Sequence, residues 1–162
     1  MAAFVGALRK YLEESANKRK FTSSAQISFV VKFAKLDLDK GASIGQLVHD
    51  CCSYFPKKEA LEKLIEVANT TESEKNVVES IFDYEDQEGY TCMISLFDMA
   101  TSYRKMNKKY PAGPMLRDIE ESFVYLIELA KNFDLDFEKI INHTVSTQQK
   151  MVAHHRSSIN TP

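Results

Sequence analysis

Apolar residues recur at helical spacing along almost the whole chain. Leu47, Val48, Cys51 and Cys52 fall on one helical face, and Leu61, Leu64, Ile65 and Ala68 on a second, with Phe55-Pro56 between them. Positions three and four apart share a face of an α-helix. Gln46 to Asn69 therefore predicts two short amphipathic helices joined by a tight turn. A hairpin of this kind cannot bury its apolar faces alone, which points to stacked helix pairs.

The same spacing predicts further helices on either side. Phe4, Leu8, Tyr11 and Leu12 mark a first. After a break over Asn17 to Ser24, Ser23 or Ser24 can cap a second helix carrying Ile27, Val30, Val31 and Ala34. Phe29 and Phe33 widen its face and predict deep burial, while the β-branched run Ile27 to Val31 is also compatible with a strand. Asp37 to Ser43 reads as a loop whose last residue caps the third helix, and Thr70 to Ser73 as a turn. Val77, Val78, Ile81 and Phe82 mark a fifth helix, and Asp83 to Tyr90 an acidic loop. Met93, Leu96, Phe97, Ala100 and Tyr103 mark a sixth. Lys105 to Pro114 is a basic loop in which Pro111 and Pro114 fix the backbone and Gly113 lets it turn. Leu116, Ile119, Phe123, Leu126, Ile127 and Ala130 give the strongest helix. Asp134 or Asp136 can cap an eighth, carrying Phe137, Ile140 and Ile141, and from His143 the pattern fades.

The expected fold is all-α, either stacked antiparallel helix pairs or an irregular multi-helix bundle. One domain is expected over residues 1–153, with a polar, mobile tail over 154–162. Composition agrees. A chain of 162 residues suits one core, and 44% hydrophobic with 27% charged residues places it among folded proteins. Gly and Pro are scarce, at 5 and 4, which favours helix.

The formal net charge of -2 supplies no global pull toward nucleic acid or an anionic membrane, so neither is an expected partner. No apolar run approaches the ~18 residues of a membrane span. Three Cys, two of them adjacent, argue against a disulfide framework and for a reducing, intracellular and cytoplasmic location. The ending Ser-Ile-Asn-Thr-Pro reads as that of a domain within a longer protein.

Two stretches resemble the ankyrin repeat, which is built on a loop, a Thr-Pro-Leu-His-like helix start, an inner helix and an outer helix. Gln46-Leu47-Val48-His49-Asp50-Cys51-Cys52 is similar to that helix start, with His49 at the family's His and the two Cys at its small Ala-Ala pair. Glu59, Leu61 and Leu64-Ile65 then match the outer helix. Asp86-Gln87-Glu88-Gly89-Tyr90-Thr91-Cys92-Met93 is similar to the Asp-x-x-Gly-x-Thr-Pro-Leu lead-in, with Phe123, Leu126 and Ile127 as its outer helix. Neither helix start has the Pro, and the interval from Gln46 to Thr91 exceeds the family's ~33 residues. The resemblance implies stacked helix pairs that bind other proteins through loops and inner helices.

On that reading the chain is a non-catalytic interaction or scaffold domain without a cofactor. Its partner surface comprises Tyr84, Glu85, Asp86, Glu88 and Tyr90 of the acidic loop with Asp50, Ser95, Asp98 and Met99 of the inner helices. The acids would select a partner with a basic surface. Two alternatives stand beside it. Asp118 and Glu121, one turn apart, could share a Mg²⁺, and they resemble the second metal motif of the all-α nucleotide pyrophosphohydrolases with its acids exchanged. That family's upstream Glu-Glu-x-x-Glu is incomplete here, since Glu13-Glu14 is followed by Asn17. The other alternative is an oligomerisation domain using Phe29-Val30-Val31 and Phe123-Val124 for self-association.

Remaining constellations are weaker. His49, Cys51 and Cys52 lack a second ligand pair for zinc. The acidic loop fails the EF-hand spacing. Lys18-Arg19-Lys20 and Lys105, Lys108 and Lys109 are basic clusters without an aromatic ladder, and read as solvated loops.

Overall fold

A computed structural model of the chain describes residues 6–17, 24–106 and 114–160. Among these residues there are eight helices and no strand. They are α1 (Ala7–Asn17), α2 (Ser24–Asp39), α3 (Ile44–Tyr54), α4 (Lys58–Ala68), α5 (Glu74–Asp83), α6 (Cys92–Met106), α7 (Pro114–Asn132) and α8 (Phe137–Asn160). The roles assigned to Phe4, Ser23, Lys18, Arg19, Lys20, Lys108, Lys109, Pro111 and Gly113 lie outside the described residues.

The helices form two rows. α1, α3, α6 and α8 pack in succession along one row, and α2, α4 and α7 along the other. Across the rows α1 pairs with α2, α3 with α4, and α6 with α7. α5 is inserted between the second and third pairs and lies on α3. It lengthens the connection from α4 to α6. Fully buried residues face inward from every layer: Leu8 and Leu12, Val30 and Ala34, Leu47 and Cys51, Leu61 and Leu64, Met93 and Leu96, Ile119 and Leu126.

Three helices of the first row begin in the same way. Gly41, Gly89 and Asp134 hold φ of 92°, 83° and 55°. In each case a cap residue follows two positions later and the helix one position after that. Ser43 Oγ accepts from the Gln46 amide at 3.1 Å, Thr91 Oγ1 from Ile94 at 3.4 Å, and Asp136 Oδ1 from Lys139 at 3.0 Å. A left-handed residue reverses the chain, and a short polar side chain then satisfies an orphan amide of the new helix. Asp136, not Asp134, is thus the cap of α8.

Ile27 to Val31 is helical, as its spacing predicts, and the strand that its β-branched residues allowed does not form, because α2 is packed between α1 and α4 and tertiary burial overrides β propensity. The structure differs from the sequence expectation in three places. Phe29 is 47% exposed, not buried; it lies on the outside of the first pair, in a cluster with Tyr11 and Phe33. α2 runs on to Asp39, so Asp37 is helical and buried. Its Oδ1 and Oδ2 accept from the Ala7 and Leu8 amides of α1 at 2.9 and 3.0 Å, so one helix caps another. α8 continues through the residues expected to form a tail, as far as Asn160. Its inward stripe passes through Thr144 and Gln148, both buried, which is why the apolar spacing fades at His143.

Candidate functional site

The acidic loop is a built turn. The Asp86 amide donates to Tyr90 O at 3.0 Å, and the Gly89 amide to Asp86 O at 3.0 Å. Asp86 Oδ1 accepts from the Glu88 and Tyr90 amides, both at 2.9 Å. One aspartate thereby organises the backbone of the whole turn, and the positive φ of Gly89 closes it.

His49 of α3 fixes this turn to the helix stack. Its Nε2 lies 3.1 Å from Tyr90 O, 3.5 Å from Asp86 Oδ2 and 3.4 Å from Ser95 Oγ. Tyr90 O and the carboxylate only accept, so Nε2 carries the ring proton and donates it to the loop. Burial holds the imidazole below its ordinary range, although the charge of Asp86 acts in the opposite sense. The neutral ring also meets the edge of Tyr84, with centroids 5.5 Å apart. Ser95, His49 and Asp86 are residue types of a hydrolytic triad. Here Ser95 and Asp86 share one ring nitrogen instead of bracketing the ring, so the serine has no path to a general base held from the far side.

The residues expected to contact a partner divide into two groups. Glu85 and Glu88 are exposed, and Tyr84, Asp86 and Tyr90 are half-buried beside them. Ser95, Asp98 and Met99 are half-buried on α6. Asp50 is only 7% exposed and does not belong to the open surface. Burial pushes its carboxyl up to about 7, opposed by Arg9 and reinforced by Asp37 and Glu13. Helical geometry explains the separation: Asp50 follows His49 by one residue and so points a quarter-turn away, toward α1. There Arg9 Nε bonds Glu13 Oε1 at 3.0 Å, and the Tyr54 hydroxyl donates to the same oxygen at 3.2 Å. The meeting of Tyr54 with Arg9 and Glu13 carried no signal in the sequence, because Tyr54 and Glu13 are 41 positions apart.

The metal-binding alternative finds its two acids occupied separately. Asp118 Oδ2 lies 3.9 Å from Lys57 Nζ, and Glu121 Oε1 bonds Arg117 Nε at 3.0 Å. Among the described residues no group of three or more His, Cys, Asp and Glu side chains could hold a metal ion. Cys51, Cys52 and Cys92 are free, buried thiols, and burial raises Cys51 and Cys52 far above the ordinary thiol range. All three lie in the hydrophobic core. No described helix is long and apolar enough to cross a membrane. No family model, curated protein or solved structure matches this chain.

Proposed function

We propose that this chain is a non-catalytic protein-interaction domain and that the turn between α5 and α6 is its recognition surface. The observation that carries the reading is the division of labour within that turn. Asp86 and His49 are spent on holding the backbone, while Glu85 and Glu88 are left in water. A turn ordered before binding loses less entropy when a partner arrives. Tyr84 and Tyr90 add half-exposed rings beside the acids, the residue type that gives contact area at low entropic cost. The partner is a protein with a basic surface, and the attraction weakens with salt.

The test is the double reversal Glu85→Lys with Glu88→Lys, which leaves Asp86 and the turn intact. Cross-linked partners of the wild type and the variant are compared at low and high salt. Loss of the salt-sensitive partners at an unchanged thermal midpoint is the expected result, since exposed charges contribute little to stability. An identical set of partners for both proteins would remove the loop as the site.

A further inference from the structure

Each side of α3 has its own neighbour. Ile44, Val48 and Cys51 face the core. Tyr54 points to α1, where its hydroxyl donates to Glu13 Oε1 at 3.2 Å. Gly45 and His49 point to α5 and the turn after it. A Cβ at Gly45 would run into the Ser80 carbonyl and Tyr84, so the glycine lets α5 lie directly on α3. The His49 ring then meets that of Tyr84, with centroids 5.5 Å apart. At 3.6 residues per turn, Gln46, Asp50 and Ser53 fall between these two flanks, on the side away from the core. α1 packs on α2 and α3, and α5 on α3 and α6, but neither packs closely on the other. A narrow cleft therefore runs between them, with this strip of α3 as its floor.

Asp50 is the unsatisfied group of that floor. It is 7% exposed, and among the described residues its carboxyl has neither a hydrogen bond nor an ion pair. Buried polar groups are ordinarily bonded, and a buried carboxylate without a partner is costly. Arg9, the cation whose charge acts on Asp50, is bonded to Glu13 instead, Nε to Oε1 at 3.0 Å. The charge of Asp50 is felt by Arg9 on one flank and by Tyr84 on the other, so the carboxyl stands between them. The groups facing it are Arg9 and Glu13 of α1, Asp37 of α2, Tyr54 and the neutral His49 of α3, and Tyr84 and Asp86 of the turn. Three acids against one base leave the cleft negative even before Asp50 ionises, which favours a cation.

We infer that this cleft receives an arginine side chain of the protein partner, whose guanidinium pairs with the Asp50 carboxylate. The inference rests on the reading of the chain as an interaction domain and names what the partner brings to it. Arginine suits the place for two reasons. Its planar fork serves both oxygens of one carboxylate, and it is less strongly hydrated than an ammonium, so it loses less on entering a nearly dry site. Tyr54 and Tyr84, half-buried on the two rims, supply rings on which its flat faces can stack. Burial keeps Asp50 protonated up to about 7 in the free chain, so at lower pH a proton leaves as the arginine enters. Binding then weakens toward acid by up to about tenfold per pH unit.

The test uses the whole chain and a displayed library of short random peptides, selected on the wild type without directing them to any surface. An arginine should recur among the binders. Replacing it by citrulline, which keeps the shape and drops the charge, should weaken binding by about tenfold or more. Carbon NMR of the Asp50 carboxyl and of the Tyr84 ring should report the bound peptide. Asp50→Asn should cost the same factor and remove the fall in affinity toward acid. This variant folds, since it takes away a buried carboxyl and keeps its size; a thermal midpoint verifies it. Binders without arginine, or binders indifferent to Asp50→Asn, would overturn the assignment. The double reversal of Glu85 and Glu88 separates the two readings. Cross-linked partners lost with that reversal but kept by Asp50→Asn would leave the turn as the recognition surface and overturn the cleft alone. Partners unmoved by either variant would overturn both.

Discussion

His49 and Asp86 meet through one ring nitrogen, with Nε2 3.5 Å from Oδ2, and the same nitrogen reaches the Tyr90 carbonyl at 3.1 Å. A single buried N–H thus ties a surface turn to the second helix of the first row. Removing it leaves the Tyr90 carbonyl with the Asp86 amide as its donor but cuts the turn from α3. His49→Ala should cost about 0.5–1.5 kcal/mol, the net range for one hydrogen bond. Exchange of the Glu88 and Tyr90 amides should accelerate more than that of the core of α4. His49→Gln, which can still present an N–H, should recover part of the loss. Chemical denaturation and amide exchange measure both effects. Equal acceleration everywhere would show that His49 supports the stack and not the turn.

The adjoining residues His49 and Asp50 make stability depend on pH in opposite senses. Burial holds Asp50 protonated up to about 7 in the folded chain. Below about pH 4 it is neutral in both states. Between about pH 4 and about 7 the unfolded chain gives up the proton and the folded chain keeps it, so stability falls by up to about 1.4 kcal/mol per pH unit. Above about 7 both states are ionised and the loss stops growing. His49 works the other way. Its folded value lies below 6.5, so the unfolded chain takes up a proton first as the pH drops, and stability is lost on the acid side. Asp50→Asn should match the wild type near pH 4 and exceed it increasingly up to pH 7, levelling off beyond. Denaturation midpoints across that range are the measurement. A constant difference between the two proteins would place the Asp50 carboxyl in water.

How far the sequence revealed this arrangement follows from the range of each interaction. The hairpin of α3 and α4 was plain, because Leu47, Val48, Leu61 and Leu64 sit within two turns of their own neighbours. Leu64 and Leu126, both fully buried, are the centres of the stripes that predicted them. The exposed acids Glu85 and Glu88 were legible as a charged loop. The fastening of that loop was not, since His49 and Tyr90 are 41 residues apart. The same holds for Asp37, which reads as a loop residue until α1 arrives from 30 positions upstream. Thr144 and Gln148 misled for a different reason: their polarity hid an inward face that apolar spacing alone could not show.

The turn before α8 places an aspartate where the equivalent turns carry glycine. Asp134 has φ 55°, and around it the Leu135 amide donates to Ala130 O at 3.0 Å and the Asp134 amide to Lys131 O at 3.1 Å. This pair of bonds closes a helix C-terminus around a left-handed residue. A side chain in that conformation is strained, and aspartate tolerates it better than most. Asp134→Gly should therefore stabilise the chain by about 0.5–1 kcal/mol. Gly41→Ala and Gly89→Ala, at φ of 92° and 83°, should do the reverse by a similar amount or more. Thermal midpoints of the three variants give the comparison.

Asp37 joins α1 to the stack by a device that ordinarily works within one helix. Its two oxygens serve the Ala7 and Leu8 amides, so the negative charge sits at the positive end of α1. Asp37→Ala removes both acceptors and leaves a dry space at the helix start. It should cost about 1–3 kcal/mol, the range for charged hydrogen bonds to a buried amide. Asp37→Asn keeps one acceptor oxygen and should cost less. Gly6 supplies an internal check. A Cβ at Gly6 would run into the Asp37 carboxylate, so Gly6→Ala must displace the cap without touching the carboxyl itself. If the cap is what holds α1, Gly6→Ala and Asp37→Ala should accelerate exchange of the Ala7 and Leu8 amides alike. The double variant should then be little worse than either alone, because both changes break one contact. Additive losses would mean that Asp37 stabilises α2 on its own account and that α1 is held by Leu8 and Leu12.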